Sequence, residues 1–155
     1  MVVKGQLVAA IEAKSQVGPS FGNNFNNRTE EAMGSALDLW TAFREQAFGS
    51  KVRPWIGYTF LLEDCVRSTC PIAVKEPHFK VFAEFRDSSY AKRYELFCRR
   101  LVLERHYDAS SFMMSNAEKG ANGEYSEPAA DLTFQMFANS LVRHVAAFSG
   151  RIKNL

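Results

Sequence analysis

Apolar and polar positions divide the chain into alternating strand-like and helix-like segments. Met1 to Val3 and Leu7 to Ala13 are two apolar runs joined through Lys4-Gly5-Gln6, a pattern that predicts a hairpin with glycine in the turn. Val17 to Asn27 contains Gly18, Pro19, Gly22 and four asparagines, residues that tolerate left-handed backbone, and predicts an irregular loop. Thr29 is a good helix cap, and Glu30 and Glu31 suit the positive end of a helix dipole. The helix should run to about Ala47, with Met33, Leu37, Trp40 and Arg44 on one side and Ala36 and Phe43 beside them. Gly49 and Pro54 end it and bound the loop that follows.

Trp55 to Leu62 reads WIGYTFLL, a run without alternation that suits a strand covered on both faces. Arg67 to Pro77 is irregular. Ser88 or Ser89 can cap a helix from about Tyr90 to Arg105, whose apolar stripe is Tyr90, Tyr94, Phe97, Cys98 and Leu101. Ser110 to Ser115 predicts a short strand and Asn116 to Glu127 an exposed loop. Thr133 should cap a last helix that buries Phe134, Phe137, Leu141, Val145 and Phe148.

Composition narrows the class. The 155 residues fit one domain, 1–155, and 46% hydrophobic residues with 13 phenylalanines argue for a packed core and against disorder. A net charge of +2 neither demands nor excludes nucleic acid, because clustering of positive charge matters more than its sum. No apolar run reaches the length of a membrane span, and the N-terminus lacks the apolar region of a signal peptide. Cys65, Cys70 and Cys98 lack zinc-ligand spacing and read as reduced thiols of a cytoplasmic protein.

The chemistry concentrates at the end of the first long apolar run. Glu12 and Lys14 are two residues apart on a strand, so their side chains share a face. A carboxylate there can hold a divalent cation, and the ammonium can orient an activated water or stabilise charge on a phosphate. By itself Glu-x-Lys also describes a strand end whose charges simply reach water. Gln16 continues the same face and either touches a phosphate or water or caps the strand. Asn23, Asn24, Asn26, Asn27 and Arg28 are DNA-contact candidates, because asparagine can bond an adenine edge and arginine a guanine edge. The alternative is a turn-rich loop whose asparagines bond their own backbone. Lys92, Arg93, Arg99 and Arg100 are either phosphate contacts or a solvated helix face.

The stretch IEAKSQVGPSFGNNFNNRTEEAMGSALDLWTAFRE closely resembles restriction endonucleases of the XhoI type, members of the PD-(D/E)xK nuclease superfamily. The likeness continues through YTFLLEDC, VKEPHF, SYAKRYELFCRRLV and ERHYDA to EPAADLTF. It implies a restriction-endonuclease-like α/β fold, a mixed central sheet flanked by helices. It also implies a homodimer that cuts double-stranded DNA at CTCGAG with Mg2+, alongside a separate DNA methyltransferase. Glu12 and Lys14 match the second half of the family motif, with Glu12 and the carbonyl of Ala13 as metal ligands. Met1-Val2-Val3 resembles the end of the strand that carries the motif aspartate, which would fall just before Met1. The chain therefore resembles the C-terminal part of such an enzyme, with the first helix and strand of the core missing and feeble cutting or none expected. The rival readings are a catalytically inactive remnant that retains dimer or DNA contacts, and a repair nuclease of the same superfamily.

Overall fold

The structure is a computed structural model that describes residues 1–49 and 52–152. Strand β1 (Val2–Val3) pairs antiparallel with β2 (Gln6–Leu7), and Lys4 and Gly5 both take positive φ in the turn between them. The expected hairpin is thus present but short, and the chain restarts as β3 (Ala9–Gln16). Helix α1 (Phe21–Arg44) leads to β4 (Trp55–Glu63) and to the single turn α2 (Val66–Thr69). Helix α3 (Tyr90–Leu103), β5 (Ala109–Ser115), the short α4 (Ala117–Ala121) and α5 (Phe134–Ile152) complete the order. Strands β3, β4 and β5 form a parallel sheet with β4 in the middle. The fold is α/β as expected, but among the described residues the central sheet is parallel rather than mixed, and the antiparallel pair is the separate hairpin.

Strand β4 is central because its side chains are apolar on both faces. Ile56, Tyr58, Phe60 and Leu62 join Tyr94, Cys98 and Leu101 of α3 and Ala32 and Ala36 of α1 in the main core. On the other face Trp55 packs with Ala9 and Phe137 of α5. Gly57 is required there, because a Cβ would come within 2.3 Å of the Trp55 ring and 2.6 Å of Phe137. Strand β3 lies at the sheet's border among the described residues. Its Ile11 is 50% exposed while Gln16 is 4% exposed, so the strand has one covered face and one open face.

Helix α1 is where the sequence expectation needs correction. It starts at Phe21, not at Thr29, so Asn23, Asn24, Asn26, Asn27 and Arg28 lie on a helix rather than in a loop. Two rings explain this. Phe21 stacks on Tyr90 with centroids 5.5 Å apart, and Phe25 meets Tyr94 edge-on at 4.9 Å. Burying a Phe side chain is worth about 1.5–3 kcal/mol, against at most about 1 kcal/mol for each Asn or Gly placed in a helix. Thr29 instead donates its hydroxyl back to the carbonyl of Asn26. The buried stripe is Phe21, Ala32 and Ala36, with Leu39 and Trp40 packed beside it, while Met33 and Leu37 face outward.

Smaller corrections follow the same logic. Helix α1 ends at Arg44 rather than near Ala47, and α3 at Leu103, with Arg105 in left-handed backbone. The segment read as irregular from Arg67 begins inside α2, and the loop from Asn116 contains α4, capped by the Asn116 side chain. Phe134 begins α5 but remains exposed, while Phe137 and Phe148 are buried as expected. Among the described residues no helix is long and apolar enough to cross a membrane.

Candidate active site

Strand alternation turns Glu12, Lys14 and Gln16 toward α1, the covered side of β3. Lys14 Nζ lies 3.5 Å from Glu12 Oε1 and 3.1 Å from Glu31 Oε2 on α1. Glu31 also takes a 2.6 Å bond from Arg28. One carboxylate thus sits between two cations, and the Arg28 guanidinium, followed by Lys14, holds the Glu31 carboxyl below the usual carboxylate range. Glu12 and Lys14 line an open cleft of about 450 Å³ together with Ser35, Asp38 and Tyr107.

The two oxygens of Glu12 have different environments. Oε2 accepts a hydrogen bond from the Tyr107 hydroxyl. Oε1 is buried and has no hydrogen-bond partner among the described residues, so its contact with Lys14 is one of charge. A buried carboxylate oxygen without a donor suits a cation. Magnesium binds through one or two carboxylates and fills the rest of its shell with water and phosphate oxygens, so this donor fits it. Glu12 lines the cleft, whereas Ala13 is exposed but is not among the residues that line it. Among the described residues no group of three or more His, Cys, Asp or Glu side chains gathers to hold a metal alone.

Gln16 lies apart from this cleft. Its amide nitrogen donates to the carbonyl of Phe21 at 3.2 Å, and its oxygen accepts from the hydroxyl of Tyr94. It joins the end of β3 to the first turn of α1 and to α3. Asn23, Asn26 and Asn27 form an outward row on α1, while Asn24 and Arg28 are half-buried. The basic residues of α3 are largely taken up within the protein. Lys92 pairs with Glu95 at 2.7 Å, Arg99 grips Asp131 through two bonds of 2.6 and 2.8 Å, and Arg100 pairs with Glu84 at 2.7 Å. Arg93 donates to the Ser88 hydroxyl at 3.0 Å.

Tyr107 carries no local signal in the sequence, being 95 residues from Glu12. Glu31, which the sequence offers either as a helix-end charge or as a residue near the metal, lies within α1 rather than at its start. Phe21, Phe25, Ala32 and Ala36, spaced four, seven and four apart, mark one helix face, with Glu31 to one side of it toward Lys14 of β3.

The family model described as restriction endonuclease XhoI matches residues 1–127. The chain is similar to the type II restriction enzyme BstVI of Geobacillus stearothermophilus, 57% identical over 148 residues, covering 96% of this chain and 66% of the relative. It is also similar to the type II restriction enzyme XhoI of Xanthomonas vasicola, 54% identical over 99 residues, covering 64% of this chain and 40% of that enzyme. Similarity to the type II restriction enzyme AbrI of Azospirillum brasilense is 63% over 75 residues, covering 48% of this chain and 34% of the relative. The chain spans just under two thirds, or less, of the length of these relatives. No solved structure matches it.

Proposed function

We propose, from the premise that the chain belongs to the XhoI restriction endonuclease family, that it acts as a type II restriction endonuclease on double-stranded DNA at CTCGAG. The observation that carries this reading is the Glu12–Lys14 pair on one strand face beside an open cleft, with a buried Glu12 oxygen that has an ammonium near it but no hydrogen-bond donor. Mg2+, held by Glu12 and the Ala13 carbonyl, would supply an acidified water and neutralise charge on the phosphate. Lys14 orients that water or meets the charge that builds on the phosphate oxygens. Glu31 keeps Lys14 Nζ in place from the other side.

Asn23, Asn26 and Asn27 supply the exposed amides for base edges, and Asn24 and Arg28 border that row. Gln16 supports this face from below by fixing the first turn of α1. CTCGAG is its own complement, so two copies related by a two-fold axis present the same groups to its two halves, which is the basis for a homodimer. A separate DNA methyltransferase protects the host's own sites, and the pair acts in the cytoplasm.

A second reading is a non-cutting remnant that keeps its DNA contacts. It is favoured by the engagement of Glu31 with both Lys14 and Arg28, which leaves Glu12 to face a cation. One experiment separates the two. DNA carrying a single CTCGAG, and the same DNA with that site scrambled, are incubated with the protein in Mg2+ or in chelator. Magnesium-dependent cutting confined to the intact site supports the nuclease. A mobility shift specific to CTCGAG without cutting supports the remnant. Neither effect would overturn both readings.

A further inference from the structure

We propose that Tyr107 is a positioning residue for Glu12, fixing one carboxylate oxygen so that the other faces the metal position. This rests on the reading of Glu12 as a metal ligand. Tyr107 follows α3, and its ring is 2% exposed against Tyr58, with centroids 5.4 Å apart. Its neighbour Asp108 clamps the start of β4. The Asp108 amide donates to the carbonyl of Ile56 at 2.7 Å, and its carboxylate accepts from the amide of Ile56 at 2.8 Å. The phenol therefore reaches the cleft from a rigid base.

The Tyr107 hydroxyl lies within hydrogen-bond distance of two acceptors, Glu12 Oε2 and, at 2.9 Å, the carbonyl of Ala32 on α1. A phenol has one hydrogen. It is shared between them, and the oxygen is held between β3 and α1. A carboxylate tied at one oxygen cannot turn freely about its last bond. Oε2 is satisfied by the protein, and Oε1 is left for a ligand beside Lys14. Partners behind a metal ligand fix its orientation in this way, and their removal typically costs about 10–100-fold in metal affinity or activity.

Tyr107→Phe tests this, because it keeps the ring and its packing. The full chain, Tyr107→Phe and Glu12→Gln are titrated with Mg2+ by calorimetry, and cleavage of CTCGAG DNA is followed in parallel. The expected result is a loss of Mg2+ affinity of about 10–100-fold in Tyr107→Phe. The kcat for cleavage should fall with it while the KM for DNA holds. A purely structural tyrosine would lower the melting temperature and leave Mg2+ affinity alone. Wild-type affinity in Tyr107→Phe, with binding lost in Glu12→Gln, overturns the positioning role and spares the site. Equal affinity in wild type and Glu12→Gln overturns the reading of Glu12, and this proposal with it. Should Tyr107→Phe unfold at the assay temperature, the tyrosine difference spectrum of the wild type on adding Mg2+ decides. A signal that disappears in Glu12→Gln supports the role, and no signal overturns it.

Discussion

Replacing Gln16 by alanine separates support of the fold from contact with DNA. Gln16 is 4% exposed, and both ends of its amide are bonded, to the Phe21 carbonyl and the Tyr94 hydroxyl. Tyr94 is fully buried against Phe60, with ring centroids 4.0 Å apart, so its hydroxyl has no water to turn to. Stranding a buried donor costs about 1–3 kcal/mol, and the Phe21 carbonyl loses a partner as well. Adding the space vacated by the amide, Gln16→Ala should cost about 3 kcal/mol. For a chain of this size that lowers the melting temperature by roughly 6–12 °C. Tyr94→Phe should cost about 1–2 kcal/mol, because it leaves the Gln16 oxygen without a donor. The double variant should be less destabilised than the sum by about 1 kcal/mol, since the second change removes a group already stranded. Thermal melts and urea titrations of the four proteins supply the cycle. Additive effects would refute the bond. A Gln16→Ala protein with unchanged melting temperature and lost DNA binding would place this side chain on the ligand instead.

Three further outcomes are expected. Tyr58→Phe should stabilise the protein by about 1 kcal/mol, read as a higher urea midpoint, because the Tyr58 hydroxyl is buried with no hydrogen-bond partner among the described residues. Alanine at Asn23, Asn26 or Asn27 should weaken binding to CTCGAG by about 1–3 kcal/mol where a base contact is lost and weaken binding to scrambled DNA less, as a competition assay would show. Arg99 holds the Asp131 carboxyl below its ordinary value, so this pair stabilises the fold above about pH 4 and loses that effect as pH falls through the lowered value. The stability gap between wild type and Arg99→Ala should therefore be open at neutral pH and close in acid, as urea midpoints at several pH values will report.

The strands and the later helices are legible in the sequence because their signals are local. Trp55 to Leu62 is apolar without alternation and is the central strand, and the stripe of Tyr94, Cys98 and Leu101 is the buried face of α3. Alternation alone put Glu12, Lys14 and Gln16 on one face of β3. The first eight residues of α1 were not legible, because asparagine and glycine preferences point to a loop. What overrides them is the docking of Phe21 and Phe25 on Tyr90 and Tyr94 in a helix about 70 residues later. Helical spacing grouped Met33 and Leu37 with Trp40 on one side of α1, yet both are exposed, and the small Ala32 and Ala36 are buried in their place. In the candidate site, Glu12 and Lys14 follow from spacing, but the bond from Tyr107 joins residues that only the folded chain brings together. The separation of Gln16 from the cleft is likewise a product of packing, since strand period sets the face and α3 sets what that face meets.

Cleavage by the Glu12→Gln and Lys14→Ala proteins is the most direct test of the pair on which the proposed nuclease rests. Plasmid with one CTCGAG is incubated in Mg2+ with wild type and each variant at matched concentration, and specific binding is measured in chelator. The pair predicts magnesium-dependent cutting by the wild type, however slow. Both variants should fail to cut while keeping their affinity for the site, because affinity comes mainly from phosphate and base contacts away from these residues. Turnover at the wild-type rate by either variant would contradict the assignment and move the search for the metal's carboxylate to Asp38 on the same cleft and to Glu31, 3.1 Å from Lys14.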